Sequence, residues 1–312
     1  MTKFLVRVFL AISLLIGLLV AAAMVGNQKN ACQGFLGAFL DKQQRLENLH
    51  SPRLIFVGGS NLAFGLDSQK VAQHFDRETI NLSTHAGLGL KFMLDSLNPH
   101  VQAGDTLVVI PEYAQFSDTF WGKQELASLV LDVYPNGWKH LNWRQRIYLM
   151  PAMATYCAKD LFAQIQRRPF PKLPGNESVY RRDPFNENGD VQVHWDLPSI
   201  EIQKAAKLYK CPRLDAFAFE YVSQFRTEIQ QRGARLILLP PVYRMASFEN
   251  QWPLIDGVDN RLRETGCEFQ SGCQRYCFDN DLFFDSHYHL TRQGTQKRTE
   301  MVIEDLIQLG VK

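Results

Sequence analysis

The stretch that decides the fold is RLIFVGGSNLAFG, from Arg53 to Gly65. Its run Leu54 to Val57 reads as a buried strand, because a short apolar run ending in turn residues suits a strand covered on both faces. Gly58 and Gly59 then allow a sharp turn and a close approach to the backbone. Ser60 follows at the strand end, and a helical segment begins near Asp67. Two readings fit. Ser60 caps a helix in an ordinary strand–helix connection, or it is a nucleophile held at the edge of a sheet.

Working outward, the same alternation recurs. Thr79 to Leu82 is a second short strand, the glycine-bearing segment Asn81 to Gly89 follows, and a helical pattern covers about 90–97. Thr106 to Ile110 is a third strand, ending in Pro111-Glu112-Tyr113. A helix over about 214–232 repeats Phe217, Tyr221, Phe225 and Ile229 at helical spacing and leads to a fourth strand, 235–239. A helix within 249–264, a fifth strand at 275–278 and a closing amphipathic helix at about 295–309 complete the series. Strands alternating with helices predict an α/β fold with a parallel sheet and a binding site at the strand carboxyl ends.

The pattern breaks between about 121 and 199, read as a helical and loop insertion. Helical stretches at about 123–133 and 143–166 give way to 167–196, rich in Pro, Arg, Asn and Gly. A structureless stretch of that length is usually functional. Its Tyr180, Arg181, Arg182, His194 and Trp195 either line a carbohydrate groove or decorate a solvated loop.

The 34 Lys and Arg against 32 Asp and Glu leave a net charge of +2, which gives no electrostatic ground for a nucleic-acid partner. Val8 to Val25 is apolar except for Ser13 and Gly17, long enough for a spanning helix. Lys3 and Arg7 precede it, so the N-terminus is expected in the cytoplasm and the main domain in the periplasm or outside the cell. Residues 1–26 are thus a transmembrane anchor, 27–52 a stalk and 53–312 the α/β domain. Ala21 to Ala23 leave cleavage of the segment open. Six cysteines (Cys32, Cys157, Cys211, Cys267, Cys273 and Cys277) suit disulfides in an oxidising compartment. Cys267, Cys273 and Cys277 lack a Cys-x-x-Cys pair and a ligand-spaced His, so no metal is expected.

A serine hydroxyl needs a histidine to take its proton and usually a carboxylate to orient that histidine. Both lie on one loop before the closing helix, as Asp285 and His289, with His287 a competing base. At these residues the chain resembles the SGNH/GDSL hydrolase superfamily, in particular membrane-anchored bacterial members linked to cell-surface polysaccharide modification. The resemblance rests on Val57 to Asn61, Asn81 to Gly89 and Asp285 to Leu290. It implies a three-layer α/β/α, flavodoxin-like parallel sheet, with Ser60 as nucleophile, His289 as base and Asp285 as its partner. It implies the N–H groups of Ser60 and Gly87 as oxyanion donors, with Asn61 as a substitute donor, and no cofactor. Glu112, Tyr113 and His287 are expected beside the substrate. Two departures stand out. The family's third block supplies an asparagine where Glu112 stands, and the family's Asp-x-x-His is stretched here to Asp285-x-x-x-His289. The implied activity is that of a membrane-anchored serine esterase or O-acyltransferase acting on an acylated glycan or other ester, with polysaccharide-assembly proteins as possible partners. The alternative is a catalytically weak glycan-binding or scaffold subunit.

Overall fold

The computed structural model describes residues 28–165, 179–200, 213–269 and 272–312, with scattered positions between 3 and 17. In chain order the helices are α1 (Gln28–Gln33), α2 (Ala38–Asn48), α3 (Ser60–Ala63), α4 (Ser68–Phe75), α5 (Leu90–Leu97), α6 (Gln124–Ser128), α7 (Trp143–Ile165), α8 (Ala216–Gln231), α9 (Met245–Glu264) and α10 (Arg292–Gln308). The strands are β1 (Arg53–Gly58), β2 (Glu78–Asn81), β3 (Thr106–Ile110), β4 (Arg235–Leu238), β5 (Tyr243–Arg244), β6 (Glu268–Phe269) and β7 (Cys277–Phe278).

Five strands pair in parallel in the order β2-β1-β3-β4-β6. The chain leaves β1 for one edge and returns through β3 toward the other, so the order reverses between β1 and β3. In open α/β sheets that reversal opens a crevice at the strand carboxyl ends. Ser60 and Glu112 follow those two strands.

Side chains alternate across a strand, and here the alternation divides the core in two. Ile55, Val57, Leu107, Val109, Leu236 and Leu238 face a layer built from residues 38–48, α5, the insertion, α8 and α9. Leu54, Phe56, Val108, Ile110 and Ile237 face α4 and α10 through Val71, Phe75, Val302 and Leu306. The fold is therefore a parallel sheet between two helical layers. At the sheet's amino edge Arg53, 1% exposed, is held by Asp105 through Nε–H···Oδ1 at 3.1 Å and by the carbonyls of Leu46 and His100.

Several expectations need correction. The segment read as a stalk is part of the helical layer: Phe39 and Leu46 are buried in the larger core. An amphipathic helix looks the same in sequence whether it spaces two bodies or covers one. The strand expected at 275–278 shortens to β7, which pairs with β5 in a separate two-stranded sheet. The fifth strand of the main sheet is β6, too short to carry a periodic signal. Among the described residues all five cysteines are free, in place of the expected disulfides, and Cys211 lies outside them. Cys32 sits against the Asp132 carbonyl, Cys273 against Gln274 and Cys277 against Met245. Most of the Val8 to Val25 run also lies outside the described residues, among which no helix is long and apolar enough to cross a membrane.

The segment Phe185 to Asp190 ties the layers together. Asp190 accepts the Ser68 backbone N–H at 2.7 Å, the Ser68 hydroxyl at 2.8 Å and the Asn81 amide at 2.8 Å. Lys42, from α2, donates to the carbonyls of Asn81 at 2.9 Å, Gly189 at 2.7 Å and Ser83. Burial pulls the Lys42 pKa down, while Asp190 and Asp41 pull it back up. Three carbonyl acceptors match the three N–H bonds of an ammonium, so the geometry favours the charged form.

Phe39→Ala is expected to destabilise the protein by about 3–5 kcal/mol in urea unfolding, the usual cost of emptying a buried phenylalanine site. A change within 0.5 kcal/mol would return residues 38–48 to the role of a spacer. Asp190→Ala strips three donors of their acceptor beside a buried lysine. It is expected to cost roughly 3 kcal/mol or more in the same measurement.

Candidate active site

Ser60 is the first residue of α3, where the leading N–H groups of a helix have no intrahelical acceptor. Gly59 is required by its surroundings: a Cβ there would lie 2.5 Å from Glu112 Oε1 and 2.8 Å from Ala86 Cβ. The serine itself is half-buried.

His289 Nε2 lies 2.8 Å from Ser60 Oγ, and His289 Nδ1 lies 2.7 Å from Asp285 Oδ1. The four-residue spacing works because the loop folds on Ser286. Its Oγ accepts the N–H of Tyr288 at 3.3 Å and of His289 at 3.1 Å. The loop is then fastened to the turn after Ser60: Leu290 N–H donates to the Phe64 carbonyl at 3.2 Å, and Phe64 stacks on the His289 ring with centroids 4.3 Å apart. Residues 229 positions apart in sequence meet through these contacts. His287 points elsewhere, with Nδ1 at 2.9 Å from Ser247 Oγ and its ring stacked against Tyr243.

The second oxygen of Asp285 accepts the Tyr180 hydroxyl at 2.5 Å, and that hydroxyl is also 3.1 Å from His289 Nδ1. Burial raises the Asp285 pKa, but the bond and charge of His289 and the Tyr180 hydrogen bond outweigh it and hold the carboxyl below the ordinary aspartate value. Tyr180 is thus a supporting member of the site, set by rings from Phe35 and Phe64 at 5.9 and 5.4 Å. The other insertion residues considered for a groove are employed differently. Arg182 pairs with Asp41 at 2.6 Å and Arg181 with Asp183 at 2.9 Å. His194 is buried, with Nε2 against the Leu290 carbonyl at 2.8 Å, and burial lowers its pKa to about 4. Arg292 lies over the half-buried Trp195.

The oxyanion donors differ most from expectation. Gly87 N–H already donates to His85 Nδ1 at 3.0 Å, and a Cβ on Gly87 would meet the Glu125 carboxylate of α6 at 2.2 Å. A block signature names the glycine, but the imidazole that takes its N–H comes from a fold detail the sequence does not expose. Asn61 is fully buried; its backbone N–H lies 3.4 Å and its amide nitrogen 3.5 Å from Glu112 Oε1. Arg298 reaches the same residue from α10, donating to the Asn61 carbonyl at 2.5 Å and to Oδ1 at 2.9 Å. That contact fixes which way the Asn61 amide faces. Tyr113 is buried with its ring edge-on to Tyr243, not open to a ligand as expected. Asn61, Glu112 and Ser60 are together, whereas Tyr113, Gly87 and His287 are turned to other partners.

Burial raises the Glu112 pKa; the charges of His85 and His289 and the bonds from Asn61 offset this only in part. Burial also lowers Arg298 to about 10, against the pull of Tyr276 and Glu112. A glutamate whose folded pKa is raised stabilises the fold below its unfolded pKa, about 4.3, and that contribution is lost as pH rises through the folded value. Glu112→Gln keeps an acceptor for Asn61 and removes the charge. Its unfolding midpoint relative to the parent protein is therefore expected to rise from pH 4 to pH 8. Parallel stability–pH curves for the two proteins would contradict a desolvated Glu112.

No family model matches this chain, and neither does any curated protein.

Proposed function

We propose that the protein is a serine esterase or O-acyltransferase acting on acyl groups of a cell-surface glycan, held at the membrane by its N-terminal apolar segment with the α/β domain outside the cytoplasm. The observation that carries this reading is the line of hydrogen bonds from Ser60 Oγ to His289 Nε2 and from His289 Nδ1 to Asp285.

In this mechanism His289 takes the Ser60 proton as Oγ attacks an ester carbonyl. Asp285 steadies the imidazolium, and Tyr180 holds the far side of the carboxylate. The Ser60 N–H, at the head of α3, faces the developing oxyanion. Glu112 sits where an ionised carboxylate would oppose that charge. Burial raises its pKa, which weakens that opposition. The alkoxide leaves with the proton from His289, and water or a sugar hydroxyl then resolves the acyl-enzyme.

A second reading is supported by a specific observation. The Gly87 N–H and both Asn61 donors are already engaged. Removing one oxyanion donor typically costs about 2.7–4 kcal/mol of transition-state stabilisation. A site short of donors suits a glycan-binding or scaffold subunit of a polysaccharide-assembly complex.

The two readings separate on labelling with a fluorophosphonate and on hydrolysis of p-nitrophenyl acetate. For an enzyme, Ser60→Ala and His289→Ala each abolish labelling and lower turnover by about 10⁴-fold or more. Parent protein that neither labels nor turns over would leave the binding reading. Turnover undiminished in Ser60→Ala would remove Ser60 as nucleophile.

A further inference from the structure

A helix at a protein surface ordinarily turns an apolar stripe inward and a polar face outward. The closing helix α10 does so, exposing Gln296, Lys297, Glu300 and Glu304. Helix α7 does not. Its buried side carries Gln145, Leu149, Met153 and Tyr156, yet Trp143 is 66% exposed, Ile147 59%, Met150 60% and Phe162 61%. At about 100° per residue these four share an arc of about 120°, nearly opposite the buried side. Ala154 and Ala158, both exposed, fill the same arc. The single carboxylate of the helix, Asp160, is buried. Cations border the arc instead: Arg144 lies over the Trp143 ring on one edge, and Arg146 lies over Trp138 beyond the other.

The course of the chain says what covers that face. With Val8 to Val25 as the membrane anchor of the proposed function, only Gly26 and Asn27 separate the apolar run from α1. The steps from Val25 to Gln28 reach at most about 11 Å. Helix α1 does not stand clear of the domain: Ala31 and Cys32 pack against the larger core, and Cys32 Sγ lies 4.0 Å from the Asp132 carbonyl. The carboxylate of the same Asp132 accepts the Tyr156 hydroxyl from α7. The end of the apolar run and α7 are thus tied to one residue. Phe35, Ala38, Phe39 and Leu46 are buried in the domain, so the segment after α1 does not lift it from a bilayer. An exposed stripe of Trp, Ile, Met and Phe bordered by arginine suits a helix lying in the boundary between headgroups and acyl chains, a depth that tryptophan favours.

We propose that α7 rests on the membrane surface with its apolar face set among the lipid headgroups, as a second attachment that fixes the orientation of the domain. One spanning helix alone leaves a domain free to tilt; a second contact removes that freedom. The occupant is the phospholipid bilayer and not a second copy of this chain. Cations on both borders complement anionic headgroups, whereas two such faces laid together would bring like charges against each other. The inference rests on the membrane anchor of the proposed function and on none of the chemistry at Ser60.

The test uses the full chain in nanodiscs containing phosphatidylglycerol, with and without lipid brominated near the glycerol end of one acyl chain. Bromine quenches tryptophan only at close range, so the bromine-dependent loss of emission reports indole within the bilayer. Trp143→Phe is expected to remove most of that loss. Ile147→Glu combined with Met150→Glu leaves Trp143 in place and is expected to lower the loss roughly 10-fold, because carboxylates resist entry among acyl chains. The Tm of the double variant in detergent is expected to match the parent, since both side chains are exposed. Equal quenching in Trp143→Phe would place Trp143 outside the lipid and overturn the proposal. A marked fall in Tm for the double variant would mean that the chain itself covers the face, and would overturn it too. Dimers that the double variant dissolves, with no quenching in the parent, would give the face to a second copy and likewise overturn it. Parent protein that elutes apart from the nanodiscs would overturn the anchor together with this proposal, whereas protein that stays with them unquenched would overturn this proposal alone. No readout uses ester cleavage, so quenching that depends on Trp143 in a protein that cleaves no ester would uphold the contact and set aside the esterase reading alone.

Discussion

Asn61 is held between a buried cation and a buried carboxyl group, and the geometry around Ser60 depends on that clamp. Arg298 takes its carbonyl and Oδ1, while its N–H and amide nitrogen face Glu112. One residue thereby joins the turn after β1, the end of β3 and the closing helix α10. The same helix is capped by Thr291, whose side chain accepts the Gly294 N–H, immediately after the loop that carries His289. Fixing α10 against Asn61 therefore also fixes His289 against Ser60. The direct neighbour relation of β1 and β3 makes this possible, because their carboxyl ends open on one crevice.

Desolvation acts on the two site carboxyl groups with opposite results. Glu112 takes the Gln115 N–H and two long contacts from Asn61, yet burial prevails over them and its pKa rises. Asp285 is also partly buried, but His289 and Tyr180 supply bonds to both oxygens and its pKa falls. Divergent environments of this kind are how one site holds one carboxyl group charged beside another that is ready to be neutral. The assignment of Asp285 as the ionised partner of His289 follows from its donors, not from its position in the sequence.

Much of the scaffold was legible because it rests on local pattern. The third strand and the helix at 90–97 fall where apolar runs and helical spacing put them, and Ser60, His289 and Asp285, far apart in the chain, lie within hydrogen-bond reach of one another. What escaped the sequence depends on contacts between distant segments. Nothing in Tyr180 distinguishes a loop aromatic from a partner of Asp285, and nothing in Arg298 separates a solvated helix position from a buried clamp. Gly87 is a local exception: its block names the glycine, but the His85 ring two residues earlier takes its N–H. The strand β6 and the covering role of Phe39 were missed because short pairing and burial by a remote surface leave no periodic trace.

The support of Tyr180 carries one more consequence for how this molecule is assembled. Its ring is flanked by Phe35 and Phe64, and Phe35 in turn meets Phe185 at 5.0 Å. Phe35 belongs to the segment nearest the apolar N-terminus, and Phe185 to the segment anchored by Lys42 and Asp190. The hydroxyl that holds Asp285 therefore depends on packing of the N-terminal segment onto the domain, not only on the loop that bears the tyrosine. A loop residue acquires a fixed orientation only when rigid neighbours supply it. Here those neighbours come from residues 35–42, 64 and 185–190, so the chain between the apolar run and β1 is part of what sets the geometry of Asp285 and His289.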